Sequence, residues 1–250
     1  LVATVFDFGQ NGARPTHPEL LDWLAVELME SGWSMKRLHR LLVTSETYRR
    51  VVSTGDSPSA ARDPENKLLW RMNSGRMEAE VVRDSLLYLS GRLDPKMGGQ
   101  ELENSESLTT TRRSLYYSCQ PELDGKNPFT ALFDPPEPAD CYRRTRSVVP
   151  QQSLALTNSE LVHVTSQQFA QQVWKTLEAN GQANSDTFIV ACYERILGRA
   201  PRPAERDACL AYLAAPNPTT TTPTDGRTAT RDRESLVRAL LNHNDFLSIR

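Results

Sequence analysis

The sequence predicts a mainly α, irregular helical domain of paired helices, with a long Pro- and aromatic-rich ordered loop segment and at most one or two short strands. Three observations carry this. Apolar residues recur with a 3.6-residue period through residues 76–93, 159–177 and 187–213. Ser, Thr, Asp or Pro stands at many of the helix starts and Gly beyond several of the ends, which is helix punctuation. From about 100 to 150 the period disappears and Pro121, Pro128, Pro135, Pro136, Pro138 and Pro150 accumulate beside Tyr116, Tyr117, Phe129 and Phe133. That aromatic content reads as an ordered segment packed over helices rather than as disorder.

Along the chain, Thr16-His17-Pro18-Glu19 reads as a capping box, followed by a helix whose apolar stripe is Leu20, Leu21, Trp23, Leu24 and Leu28. Gly32 ends it, and Ser34 caps a second helix bearing Met35, Leu38, Leu41 and Leu42, so the two form a hairpin. Asp63-Pro64-Glu65 is expected to open another helical turn. The most regular helix is 76–93, with Met77, Val81, Leu86, Leu89 and Leu93 in period and Gly98-Gly99 in the loop beyond. One short strand is expected at Ser114–Ser118. Helices resume at Gln151–Thr157 and Ser159–Leu177, then as a hairpin of Thr187–Leu197 and Pro203–Leu213. Residues 216–231 are polar and of low complexity, which predicts an exposed, mobile loop before a last helix near 232–244. The reading is one helical domain over 1–250, with an N-terminal helical part of about 1–99, the irregular segment of about 100–150 and a C-terminal helical part of about 151–250. Leu1 in place of an initiator Met reads as a piece of a longer chain.

Composition excludes several classes. Lys and Arg total 29 against 31 Asp and Glu, a net charge of −2, so the basic excess of a general nucleic-acid binder is missing. No apolar run approaches the ~18 residues of a membrane-spanning helix, so no transmembrane segment is expected. Cys119, Cys141, Cys192 and Cys209 lie 22, 51 and 17 positions apart and form neither a Cys-x-x-Cys pair nor a haem-attachment string. Cys192 and Cys209 sit in apolar helical patterns as small core residues, while Cys119 and Cys141 flank the Pro-rich loop, where a disulfide is open in an oxidising compartment. No metal site is assigned, no cofactor is expected in this chain, and there is no nucleophile elbow, phosphate loop or dinucleotide fingerprint.

Three groups of residues could carry chemistry. In Arg76-x-Glu78-x-Glu80-x-x-Arg83-Asp84, the four-residue spacings put Arg76, Glu80 and Asp84 on one helix face with Arg83 beside them. Glu80 and Asp84 could divide acid and base roles or hold a hard cation, or the stretch could be a salt-bridged face locking the helix to its neighbours. Arg112-Arg113 and Arg143-Arg144-x-Arg146 could converge on Gly98-Gly99 as an anion pocket, or pair with Asp134, Glu137 and Asp140 to pin the loop. His17 and His39 could meet across the first hairpin as part of a His-His-carboxylate site, with structural hydrogen bonding as the alternative. Trp23, Trp33, Trp70 and Trp174 could line a sugar platform, although tryptophan on a helical apolar stripe usually belongs to the core.

A set of strings in fixed order resembles a planctomycete-type domain of unknown function. They include Asp7-Phe8-Gly9, His17-Pro18-Glu19-Leu20-Leu21-Asp22-Trp23-Leu24, Val43-Thr44-Ser45-x-Thr47-Tyr48-Arg49 and Asn66-Lys67-Leu68-Leu69-Trp70-Arg71. Arg83-Asp84-Ser85-Leu86-Leu87, Met97-Gly98-Gly99, Arg112-Arg113-Ser114-Leu115-Tyr116, Phe133-Asp134 and Val149-Pro150-Gln151-Gln152-Ser153-Leu154 continue the series. The resemblance implies the C-terminal domain of a large exported protein, extracytoplasmic (periplasmic or secreted), whose haem c would sit in an upstream cytochrome-c-like module. It supplies no reaction. Arg202 stands where a Ser or Thr cap before Pro203 is expected, which predicts a weaker helix start. The function expected from all this is an accessory binding or interaction domain of a cytochrome-linked protein, recognising an acidic or sulfated carbohydrate or a partner protein. Its alternatives are a carbohydrate-active enzyme domain using Glu80 and Asp84, and a structural domain that completes an upstream domain of the same polypeptide.

Overall fold

Pro18 decides where the first helix begins. Its ring fixes φ and it has no N–H to lose at the first helical position, so α1 (Pro18–Glu30) takes His17 as its cap. Thr16 therefore stands one residue outside, donating to Leu1 O and lying 2.9 Å from His17 Nδ1, and the expected capping box does not form. Helix α2 (Met35–Thr44) starts as expected on Ser34, whose hydroxyl accepts from the Arg37 N–H at 3.4 Å. The computed structural model describes residues 1–4, 7, 9–52, 57–119, 126–136, 144, 147–215 and 226–249, and only the backbone of 226–228.

Two compact units divide at residues 75 and 76. In the smaller, Asp63 does not open a helix. It ends α3 (Pro58–Arg62), and its carboxylate accepts from the N–H groups of Lys67 and Leu68 at 2.9 and 2.7 Å. Asn66 and Leu69 lie at φ of 54° and 57°, a left-handed backbone that no helix accommodates. Asn66 holds that turn with its own amide, donating to Arg71 O at 2.7 Å and accepting from Arg71 N at 3.1 Å. Order here is polar: among the described residues of this unit Asp63 and Asn66 are the buried ones, and α1, α2 and α3 bury none. Trp23 is 51% exposed, contrary to the core placement its stripe suggests, and Trp33, between the two helices, is 69% exposed. So short a hairpin is too small to enclose its own apolar face.

The larger unit opens at Arg76, the second residue of β1 (Gly75–Arg76), which pairs with β2 (Ser248–Ile249), and the Met77 N–H donates to Leu247 O at 2.8 Å. Helix α4 is therefore Ala79–Leu89, shorter than the expected 76–93. It is followed by α5 (Pro150–Asn158), α6 (Glu160–Ala179), α7 (Ser185–Leu197), α8 (Pro203–Ala214), α9 (Gly226–Leu241) and α10 (Asn244–Leu247). Helix α6 is the hub and packs on α4, α5, α7 and α9. Val82, Leu86, Val162, Phe169, Val173, Phe188, Ile189 and Leu241 fill the core around it. The last long helix starts at Gly226, so 226–231 is helical rather than loop; the rest of the expected loop, 216–225, lies outside the described residues. Arg202 has no side-chain acceptor to cap with, yet Glu205 reaches back to accept from its N–H at 2.7 Å and supplies half of a capping box.

Across 100–150 the described chain makes 3₁₀ turns at Asn104–Leu108, Ser114–Tyr116 and Thr130–Phe133. The expected strand at Ser114–Ser118 is replaced by the second turn and a single parallel bridge from Leu102 to Tyr117. Phe129 and Phe133 pack at 5.1 Å between ring centroids, and their turn lies against α4. The architecture is mainly α, as expected. Among the described residues no helix is long and apolar enough to cross a membrane.

Candidate functional site

One face of α4 carries Glu80, Arg83 and Asp84, and the irregular segment folds onto it. Glu80 receives both guanidinium ends of Arg144, at 2.6 and 3.2 Å, and Glu78 lies 3.7 Å from the same group. Asp84 accepts from the Ser114 N–H at 2.7 Å and from Arg113 Nε at 3.4 Å. Both carboxylates are thus occupied in fastening the loop. Arg76, outside the shortened helix, shares no face with them and donates instead to Gln152 Oε1 at 2.8 Å. Gln152 is buried and donates in turn to Leu132 O at 2.9 Å, which gives the Gln151-Gln152 string its structural work.

Arg83 is 2% exposed. Its fork donates to Arg112 O, Ser114 Oγ, Ser107 O and Thr110 O at 2.7–3.2 Å, and it lies over the Tyr117 ring at 5.2 Å. Burial pulls its pKa below the usual guanidinium range; Tyr117 and Asp84 oppose this, and Arg92 adds to it as a like charge. No carboxylate contacts Arg83 among the described residues. It organises the loop through carbonyls, a role that sequence spacing does not show.

The expected anion pocket at Gly98-Gly99 is filled from within. Arg112 does converge there, but its guanidinium donates to Gly98 O and Lys96 O and lies over Tyr116 at 4.3 Å. The Tyr116 hydroxyl accepts from the Gly98 N–H at 2.9 Å. Arg113 and Arg144 are held by Asp84 and Glu80, and Asp134 accepts from the Ser147 N–H and hydroxyl at 2.7 and 2.8 Å. Arg143, Arg146, Glu137 and Asp140 lie outside the described residues.

His17 caps α1 beside Thr16, and His39 lines an apolar hollow of about 390 Å³ with Leu42 and Tyr48. No group of three His, Cys, Asp or Glu side chains able to hold a metal occurs among the described residues, so the His-His-carboxylate site is not formed there. Cys119 is an exposed free thiol, while Cys141 lies outside the described residues. Cys192 and Cys209 are buried as expected, and burial raises both thiols above their ordinary range. Trp174, the one tryptophan of the larger unit, packs edge-on to Phe188 with its ring under Arg233.

Two cavities adjoin the α4 face. A small one of about 80 Å³ is lined by Glu80, Tyr117, Cys119 and Asn127. A larger one, about 580 Å³, lies between α4, the 104–110 turn, the Phe129–Leu132 turn and the start of α6. Its walls include Leu87, Leu108, Phe129, Leu132, Leu161 and Val164, and its polar lining includes Arg83, Arg92, Glu160, Asn127 and Gln168. The Arg92 side chain makes no hydrogen bond or ion pair among the described residues. Asn127 is 4% exposed; its Oδ1 accepts from Phe129 and Thr130, and its Nδ2 has no partner. Gln168 Oε1 is likewise buried and unpartnered. Sequence reasoning missed Arg92, Asn127 and Gln168. Only Gln168 left a signal, as a polar residue in the Leu161–Val164–Gln168 column of an otherwise apolar stripe.

A family model described as PSD1, a protein of unknown function (DUF1553), matches residues 1–213. No curated protein and no solved structure matches the chain.

Proposed function

The chain belongs to the PSD1 family of unknown function (DUF1553), and from that premise we propose that it is an accessory module that binds an acidic ligand rather than an enzyme domain. One contrast supports this. Glu80 and Asp84, which a hydrolytic reading needs free, are tied to Arg144, Arg113 and the Ser114 N–H, whereas Arg83 and Arg92 face a cavity with no carboxylate in contact. A general acid or base must present its carboxyl to the substrate, and here the oxygens of both carboxylates are already engaged by guanidinium and backbone N–H donors of the loop. The resemblance to planctomycete-type exported proteins supports an extracytoplasmic setting in a cytochrome-linked polypeptide. There an acidic or sulfated carbohydrate, or an acidic partner protein, is the ligand of first interest.

The test is thermal unfolding of the 250-residue chain against oligogalacturonate, a sulfated oligosaccharide, decanoate, phosphate and a neutral glucan. A ligand that binds only the folded state raises the midpoint by linkage. The expected result is a rise with one or more of the anions, none with the glucan, and loss of the rise in Arg92→Ala but not in Glu80→Gln. Release of sugar products that Glu80→Gln abolishes would instead establish the enzyme reading.

A second reading has its own observation. Helix α1 and its flanks expose Trp23, Met29 and Trp33, which supports docking of the smaller unit against another domain of the same polypeptide. Hydrogen exchange of α1 amides should then be slower in the full-length protein than in residues 1–250, and equal rates would discard this reading.

A further inference from the structure

Apolar side chains wall most of the 580 Å³ cavity of the larger unit, yet charged groups border it. That volume falls in the range of small-molecule sites, roughly 300–1,000 Å³. Arg83 and Arg92 bring two positive charges and the exposed Glu160 brings one negative charge, so the lining is net positive. The two terminal nitrogens of Arg83 are engaged by three carbonyls and the Ser114 hydroxyl, which leaves it mainly a source of field. The donors still on offer are those of Arg92 and the buried Asn127 Nδ2. A buried amide N–H without an acceptor costs free energy, and native structures rarely keep one without a reason.

We infer that this cavity binds an amphiphilic carboxylate, its carboxylate taken by Arg92 and Asn127 and its hydrocarbon body lying among Leu87, Phe129, Leu132 and Val164. The inference rests on the acidic-ligand reading above and narrows it to one chemistry. A sugar fits the walls poorly, because its hydroxyls would surrender water to leucine and phenylalanine without replacement. A hydrocarbon gains from the same transfer. Inorganic phosphate satisfies the donors but leaves the walls empty. Gln168 Oε1 is the remaining unmet group, and it accepts a hydroxyl where the ligand carries one.

The experiment is calorimetric titration of the 250-residue chain with decanoate, decanol, oligogalacturonate and phosphate. Decanoate is expected to bind one per chain, at least tenfold tighter than decanol or phosphate. Arg92→Ala should weaken decanoate about tenfold and leave decanol unchanged. Leu108→Glu, at a position that is 74% exposed and so tolerant in the fold, should weaken decanoate similarly by placing a like charge at the cavity. Equal affinity for decanoate and decanol, or decanoate binding indifferent to both substitutions, would overturn the inference. Oligogalacturonate or phosphate binding without decanoate binding would also overturn it and leave the acidic-ligand reading standing. Binding of none of them would sink both.

Discussion

Replacing Arg83 by Met should unfasten the loop from α4 while keeping the bulk of the side-chain stem. Arg83 is 2% exposed, and its bonds to Ser114 Oγ (3.2 Å) and Ser107 O (3.1 Å) are buried, whereas those to Arg112 O and Thr110 O are partly open to solvent. Each buried acceptor left without a donor costs about 1–3 kcal/mol, so two cost about 2–6. Removing a buried charge that no carboxylate contacts returns part of that sum. The net expected loss is about 3 kcal/mol. Native-state hydrogen exchange of the α4 and α6 amides is the suitable assay, because it reads the larger unit without assuming that both units unfold together. Arg83→Lys, which keeps the charge but not the planar fork, should recover less than half of the loss. A loss below about 0.5 kcal/mol, the level of an ordinary surface change, would refute the claim that this side chain orders the loop.

Three further predictions concern the helical core. Arg199 grips Glu205 at 2.7 and 2.8 Å and holds its carboxyl down to about 2. Because that value lies below the 4.5 of the free side chain, the stabilisation is complete above pH 4.5 and drains away as the pH falls towards 2. With the Glu205 side chain 23% exposed, solvent screening limits the pair to about 1 kcal/mol, and Glu205→Gln should flatten that acid limb in urea unfolding. Gly91→Ala forces a side chain into φ +72° and places its Cβ 2.9 Å from Gln172 Nε2, which itself donates to Ser90 O. It should lose roughly 1–2 kcal/mol, more than Gly181→Ala, where φ is +66° but nothing lies within 4 Å. Phe188 is fully buried and meets Trp174 edge-on, so Phe188→Ala should cost about 3–5 kcal/mol, read as a lower urea midpoint at unchanged slope.

Helices of the larger unit were legible because periodicity and caps point the same way. Asn184 accepts from the Thr187 N–H at 2.9 Å and Ser159 stands at the start of α6, close to where the apolar period begins. The boundaries that moved did so for long-range reasons. Residues 76–78 carry a helical pattern, yet Arg76 is drawn into a ladder with residues 248–249 that no local signal announces. The smaller unit reversed the usual inference from pattern to burial. Its apolar stripe is real, but α1 buries no residue, since amphipathicity states what a helix can bury and not what is present to cover it.

Charge pairing was the least legible feature, and it governs the choice between catalysis and binding. Sequence spacing put Arg76 and Arg83 beside Glu80 and Asp84, which holds for Arg83 on the helix surface, fails for Arg76 and is silent about a loop that arrives 29–64 residues later. The loop brings Arg144 to Glu80, and Arg113 with the Ser114 N–H to Asp84, so the carboxylates are satisfied by partners whose approach depends on the whole fold. Arg83, released from any carboxylate, serves as the donor core of the 107–114 turn instead. The same folding event that neutralises the acids leaves Arg92, Asn127 and Gln168 with unmet bonds around an apolar hollow. Engaged acids beside open basic and amide groups are what favours the proposed anion-binding reading over the hydrolytic one.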